Sequence, residues 1–154
     1  MMKKITSIIL ASVCVIVPVW AQQSGRDDLS PEPGVRFAPL HVYLDSGDRA
    51  LAAYQFELTA TAGQIEIVGV EGGEHEAFTE APYYDPAALA QDRIIIAAFN
   101  TGKNLPTGRT RVATVHLLIK GDVEPEYELN LTVAGDADGE KIPARLTCEK
   151  GESK

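Results

Sequence analysis

The chain has few cysteines, and this bounds the class of protein. Cys14 and Cys148 are the only two in 154 residues, and Cys14 lies in an apolar N-terminal segment. If that segment is cleaved on export, one thiol remains and no intramolecular disulfide can form, which excludes the disulfide-rich secreted scaffolds. We predict that Cys148 is either buried at the end of a strand or joined to a partner by an intermolecular disulfide.

Basic residues are also scarce. The sequence has 14 lysines and arginines against 22 acidic residues, for a formal net charge of −8, and no segment clusters basic side chains. Nucleic acids and anionic membrane surfaces bind proteins that carry clustered positive charge. The composition therefore argues against both as partners.

Motifs of the common enzyme classes are missing as well. There is no G-x-S-x-G and no Gly-rich phosphate loop between a strand and a helix. The three histidines, His41, His75 and His116, are far apart in the sequence. We predict a non-enzymatic protein with no catalytic residues, no metal ligands and no cofactor.

The start of the chain has the pattern of a secretory signal. A short basic beginning is followed by an apolar run over 5–19, and Val19-Trp20-Ala21 offers small or tolerated residues for signal peptidase. The run is shorter than the roughly 20 residues that span a bilayer. We predict that residues 1–21 are removed and that the mature chain is exported to the periplasm, the cell surface or the medium, without membrane insertion.

Strand-like patterning dominates the remainder. Apolar residues alternate with polar ones over 40–44, 54–58 and 127–133, which is typical of half-buried strands. The runs 93–99 and 112–119 are almost continuously apolar, so we expect central strands, and the first of them is expected to be covered on both faces.

These segments predict an all-β fold, an antiparallel β-sandwich of about seven to nine strands with one short helical turn. The turn is expected over 86–91, with Asp85 as its N-cap. We place a flexible leader at 22–34, the sandwich domain at 35–148 and a polar tail at 149–154.

The order of these segments resembles that of cohesin domains. The matching stretches are 52–58, with its Gln-aromatic-x-aliphatic strand, then 65–70, 93–99, 112–119 and the closing hairpin over 129–142. Cohesins are jelly-roll sandwiches allied in fold to carbohydrate-binding modules. The resemblance implies a non-catalytic module that binds an extracellular protein or a polysaccharide.

The densest polar cluster is the first candidate site. Glu71, Glu74 and His75 lie in the segment EGGEHE, where carboxylate and imidazole donors stand beside flexible glycines. Such donors can bind a cation, but the spacing matches no established ligand motif. The segment is either a solvated turn after a strand or part of a contact loop for a partner.

Tyr83, Tyr84 and Asp85 form the second candidate site, between two prolines. Tyrosine combines an apolar face with a hydroxyl, which suits a protein hot spot or a sugar ring. The alternative is that the rings pack on the core. We expect 71–85 to be a protein-binding loop, with polysaccharide recognition through the two tyrosines as the second hypothesis.

Overall fold

Two antiparallel sheets of four strands each form the fold. The computed structural model describes residues 34–152, so the predicted signal and the predicted leader, except Gly34, lie outside the described residues. The strands are β1 (Val35–Asp45), β2 (Ala53–Ala62), β3 (Gln64–Gly72), β4 (Tyr83–Tyr84), β5 (Arg93–Phe99), β6 (Arg109–Lys120), β7 (Glu126–Gly135) and β8 (Arg145–Lys150). Sheet A has the order β3-β6-β1-β8, and sheet B has the order β4-β5-β2-β7. The predicted all-β sandwich is confirmed.

The inner faces of the two sheets build one hydrophobic core. Val42 of β1, Phe56 of β2 and Val115 of β6 are fully buried within it. The Tyr54 hydroxyl donates a hydrogen bond of 2.9 Å to the Val112 carbonyl, and so joins sheet B to sheet A. Burial raises the pKa of Tyr54, which keeps the phenol neutral and able to donate.

The expectation that β5 is covered on both faces is wrong. Ile94 and Ile96 point into the core, but Ile95 is 45% exposed and Phe99 is 65% exposed on the outer face of sheet B. β5 is paired with β2 on one side and with the two-residue β4 on the other. No described element packs over its outer face, so the apolar run reflects a hydrophobic surface as well as a core.

The predicted core face of β7 is wrong at its last position. Leu129 and Leu131 pack against the core, whereas Val133 is 42% exposed and Ala134 is buried in its place. The register against β2 shifts between Gln55 and Phe56. A bulge adds one residue to one strand, and every side chain beyond it changes face.

The helical segments are single 3₁₀ turns. One is Pro86–Ala88, where the Asp85 side chain accepts the Ala87 amide at 2.9 Å, as the N-cap prediction requires. A second turn, Glu76–Phe78, was not expected. No helix among residues 34–152 is long and apolar enough to cross a membrane.

The last strand extends past the predicted end of the domain at 148. Glu149 and Lys150 belong to β8, and their side chains pair with Arg109 and Glu124 at 2.6 Å each. Both residues are exposed, because they lie at the end of an edge strand, and they belong to the sheet rather than to a separate tail. Cys148 itself is half-buried against the core, and burial raises the pKa of its thiol.

Candidate functional site

The segment between β3 and β4 is folded tightly against its neighbours. A Cβ at Gly72 would lie 2.2 Å from the Thr79 carbonyl oxygen, and one at Gly73 would lie 2.1 Å from the Arg111 carbonyl oxygen. Only glycine allows such close backbone approach. The two glycines therefore close the loop on itself and on β6.

Glu74 and His75 hold this loop in place. The Glu74 amide donates to the Arg111 carbonyl at 3.0 Å, and the Glu74 carboxylate accepts the Arg111 amide at 2.9 Å. His75 Nδ1 accepts the Ala77 amide at 3.2 Å and caps the Glu76–Phe78 turn. Both predicted site residues thus have hydrogen bonds within the fold that fix the shape of the loop.

Glu71 points away from the other candidates. Its Oε1 lies 3.2 Å from His116 Nε2 on the outer face of sheet A. The two atoms are close enough for an ion pair. They do not form a hydrogen bond, and His116 Nε2 has no other hydrogen-bond partner among the described residues. Glu71 therefore belongs to a different surface from the tyrosines.

Tyr83 is the most exposed of the predicted aromatic residues. Its side chain is 69% exposed on the outer face of sheet B, and its ring lies nearly parallel to that of Phe99, with 6.1 Å between centroids and 9° between planes. Tyr84, on the opposite face of the same strand, is half-buried and packs against the core. Asp85 is exposed and caps the following turn.

The register of sheet B explains how the two rings meet. Tyr83 lies opposite Ala97 of β5, and Phe99 and Ile95 lie two positions either side of Ala97 on the same face. Residues two apart on a strand share a face, so Tyr83, Ile95 and Phe99 form one exposed apolar patch. We call these three residues the sheet B patch.

Sequence reasoning missed Ile95 and Phe99. Their strand is apolar at almost every position, so alternation could not show which side faces solvent. Pro82 and Pro86 flank Tyr83-Tyr84 and limit β4 to two residues. They do not show which face of β5 is exposed, because β4 pairs with the edge of β5 and does not cover its outer face.

A polar pair borders the patch. Arg93 Nε and Nη2 donate to the two carboxylate oxygens of Glu57 at 2.7 and 2.8 Å. This bidentate bond from Arg93 lowers the pKa of Glu57 and keeps the carboxylate charged. Since Glu57 is directly opposite Ile95 in the register, the apolar surface has a charged rim.

The described residues show no arrangement suited to a metal ion. No group of three His, Cys, Asp or Glu side chains within residues 34–152 is placed to hold one. His41 and His116, which the sequence separates widely, lie on adjacent strands β1 and β6 and face the same side.

No known protein-family model, curated protein or solved structure matches this chain. The resemblance to cohesins stays a prediction. The proposals for function therefore depend on the geometry of the chain itself.

Proposed function

We propose that the protein is an exported, non-catalytic module that binds an extracellular or envelope protein through the sheet B patch. The observation that carries this is the exposure of two aromatic rings and an isoleucine on one rigid strand pair. Contiguous exposed apolar surface with a polar rim is characteristic of interaction sites. The signal-like N terminus and the cohesin-like order of strands support the same function.

The patch is arranged before any partner binds. Tyr83 and Phe99 support each other by stacking, and the backbone of both is fixed within strands β4 and β5. Rigid aromatic anchors lose little conformational entropy on binding, which is why they are common among hot spots. This preorganisation favours the sheet B patch over the loop at 71–75, in which the polar groups of Glu74 and His75 are engaged within the fold.

Polysaccharide binding is the second candidate function. Two nearly parallel exposed rings offer apolar faces on which sugar rings can stack, and the Tyr83 hydroxyl is available at the surface. Tyr84 contributes less to this candidate than the sequence predicts, because its ring is half-buried.

A pull-down tests the first candidate. The protein is immobilised and exposed to the envelope and secreted proteins of the source organism. A specific partner should be retained by the wild type and lost in the Tyr83→Ala/Phe99→Ala double variant. Phe37→Ala is the matched control, since Phe37 is 67% exposed on sheet A. Loss of about tenfold or more in affinity is expected when two anchors are removed. Equal retention of the partner by the double variant would refute the sheet B patch as the binding surface.

Two further arms separate the other possibilities. Retardation of the wild type in polysaccharide affinity gels, abolished in the same double variant, would replace the protein-binding proposal with the second candidate. Capture only without reductant would assign attachment to a disulfide through Cys148, whose half-buried thiol with its raised pKa is a poor nucleophile.

A further inference from the structure

A groove on sheet A lies apart from the sheet B patch. It has a volume of about 1060 Å³ and runs along the outer faces of β1 and β6, beside the end of β3. Phe37 and Pro39 on β1 supply apolar walls, while Arg111 and Thr114 of β6 supply polar groups. Its size is in the range of small-molecule sites.

A register shift places Arg111 in this groove. The pairing of β1 with β6 slips between Val42 and Tyr43, so that Tyr43 lies opposite Arg111 rather than Val112. Val112 is buried in the core, and the Arg111 side chain is turned to the outer face. The bulge thus presents a guanidinium at one end of the groove.

Arg111 has no charged partner among residues 34–152. No carboxylate lies within 4.0 Å of its guanidinium, and its Nε is buried without a hydrogen-bond acceptor. The other described cations without an ion pair, Lys103, Lys141 and Arg145, are all exposed to water. A half-buried guanidinium without a hydrogen-bond acceptor destabilises the fold. An anionic ligand would supply that acceptor and remove this free-energy cost.

Neighbouring groups add hydrogen-bonding capacity. His116 Nε2 is a second buried polar atom in the groove without a hydrogen-bond partner in the described part of the chain. The Thr114 hydroxyl is 3.1 Å from His41 Nδ1. Burial, together with the charge of Arg111, lowers the pKa of His41, so this imidazole is neutral at pH 7 and adds no positive charge of its own to the groove.

The acidic residues of the groove restrict the charge of the ligand. Glu71 approaches His116, and Glu152 also lines the groove. Both would repel a second negative charge on a ligand that pairs with Arg111. Polyanions and phosphate therefore fit poorly, whereas a single carboxylate on an apolar body fits both the cation and the walls.

We infer that this groove is a binding site for a small monocarboxylate with an apolar body, anchored by the guanidinium of Arg111. Phe37 and Pro39 contact the body, and Thr114 and His116 are within the same groove to complete the hydrogen bonds. This inference does not depend on the proposed protein partner, because it concerns the opposite sheet.

Titrations followed by ¹H–¹⁵N NMR test this inference on the whole protein with three probes. Phenylacetate is the monocarboxylate, 2-phenylethanol has the same ring without the charge, and inorganic phosphate is an anion without an apolar body. Phenylacetate should shift the Arg111 Nε–H signal and the Thr114 and His116 amides, and bind at least tenfold more tightly than either other probe.

The matched variants are Arg111→Gln and Arg145→Gln. Arg145 is exposed and faces the same side of sheet A, and it has no ion pair among the described residues, so both variants lose one unpaired charge. Arg111→Gln should weaken phenylacetate binding at least tenfold, and Arg145→Gln should leave it within twofold. Equal weakening in both variants, no shift at Arg111, or tighter binding of phosphate would each overturn the inference. A thermal melt of each variant confirms folding.

Discussion

At the scale of single residues, the loop between β3 and β4 separates two kinds of polar side chain. Glu74 and His75 accept backbone amides and so shape the loop, whereas Glu71 is exposed at the sheet A groove. A charged cluster in a sequence does not distinguish these roles, because both need the same donors and acceptors. The two roles differ in the hydrogen-bond partner: a side chain that shapes the loop accepts a backbone amide, and an exposed one does not.

Gly72→Ala tests the close packing of this loop. The new Cβ would lie 2.2 Å from the Thr79 carbonyl oxygen, so backbone must move, and we expect a loss of about 2–3 kcal/mol in the free energy of unfolding. Gly69→Ala in the same strand is the control, because its Cβ would meet nothing within 4 Å. Urea denaturation measures both. Similar midpoints for the two variants would contradict the loop geometry.

At the scale of elements, a strand's surroundings decide what its side chains do. β5 has buried isoleucines on one face and the sheet B patch on the other, although its sequence is apolar throughout. β7 changes face at its bulge, so Val133 is solvent-facing next to Gln55. β6 changes face at another bulge, which turns Arg111 outward. Each proposed surface therefore depends on a feature of strand pairing.

Lysine substitutions at two adjacent positions test the β7 bulge. Val133→Lys should change the free energy of unfolding by less than about 0.5 kcal/mol, because that side chain faces water. Ala134→Lys should cost more than about 3 kcal/mol or prevent folding, because it would bury a charge. Thermal and urea melts give the comparison. The opposite order would show that β7 keeps a regular alternation to its end.

At the scale of the whole molecule, the two sheets depend on one another. Neither has a core of its own, since Val42, Phe56 and Val115 belong to a single cluster. The Tyr54–Val112 hydrogen bond crosses between the sheets. The opposed outer faces then remain available for two separate surfaces, the patch on sheet B and the groove on sheet A.

Phe56→Ala tests this shared core. Removing a fully buried ring should cost about 3–5 kcal/mol, a large part of the roughly 5–15 kcal/mol that stabilises a typical domain. The unfolding curve from far-UV circular dichroism and the curve from tyrosine fluorescence should coincide and show one transition. Two separated transitions in the variant would mean that the sheets unfold independently.

The amino-acid pattern by itself determined the fold class and the composition of the core. Alternation in β1, β2 and most of β7 marks their buried faces, because a side-chain period of two is a local property of any strand. The Asp85 cap was equally local. The binding role of the candidate residues stays a prediction, and the sequence did not show that they separate: Tyr83 is exposed on sheet B, Tyr84 is half-buried, and Glu71 lies at the outer face of sheet A.

Only the tertiary structure decided which outward faces carry apolar or unpartnered groups. Ile95 and Phe99 join Tyr83 because β4 pairs with β5 across the chain, and Arg111 faces the groove because β6 slips against β1. Strand partners and bulges arise from contacts between distant segments, and a one-residue shift reverses every side chain beyond it. That is why sequence periodicity located the core but could not locate the two surfaces that we propose for binding.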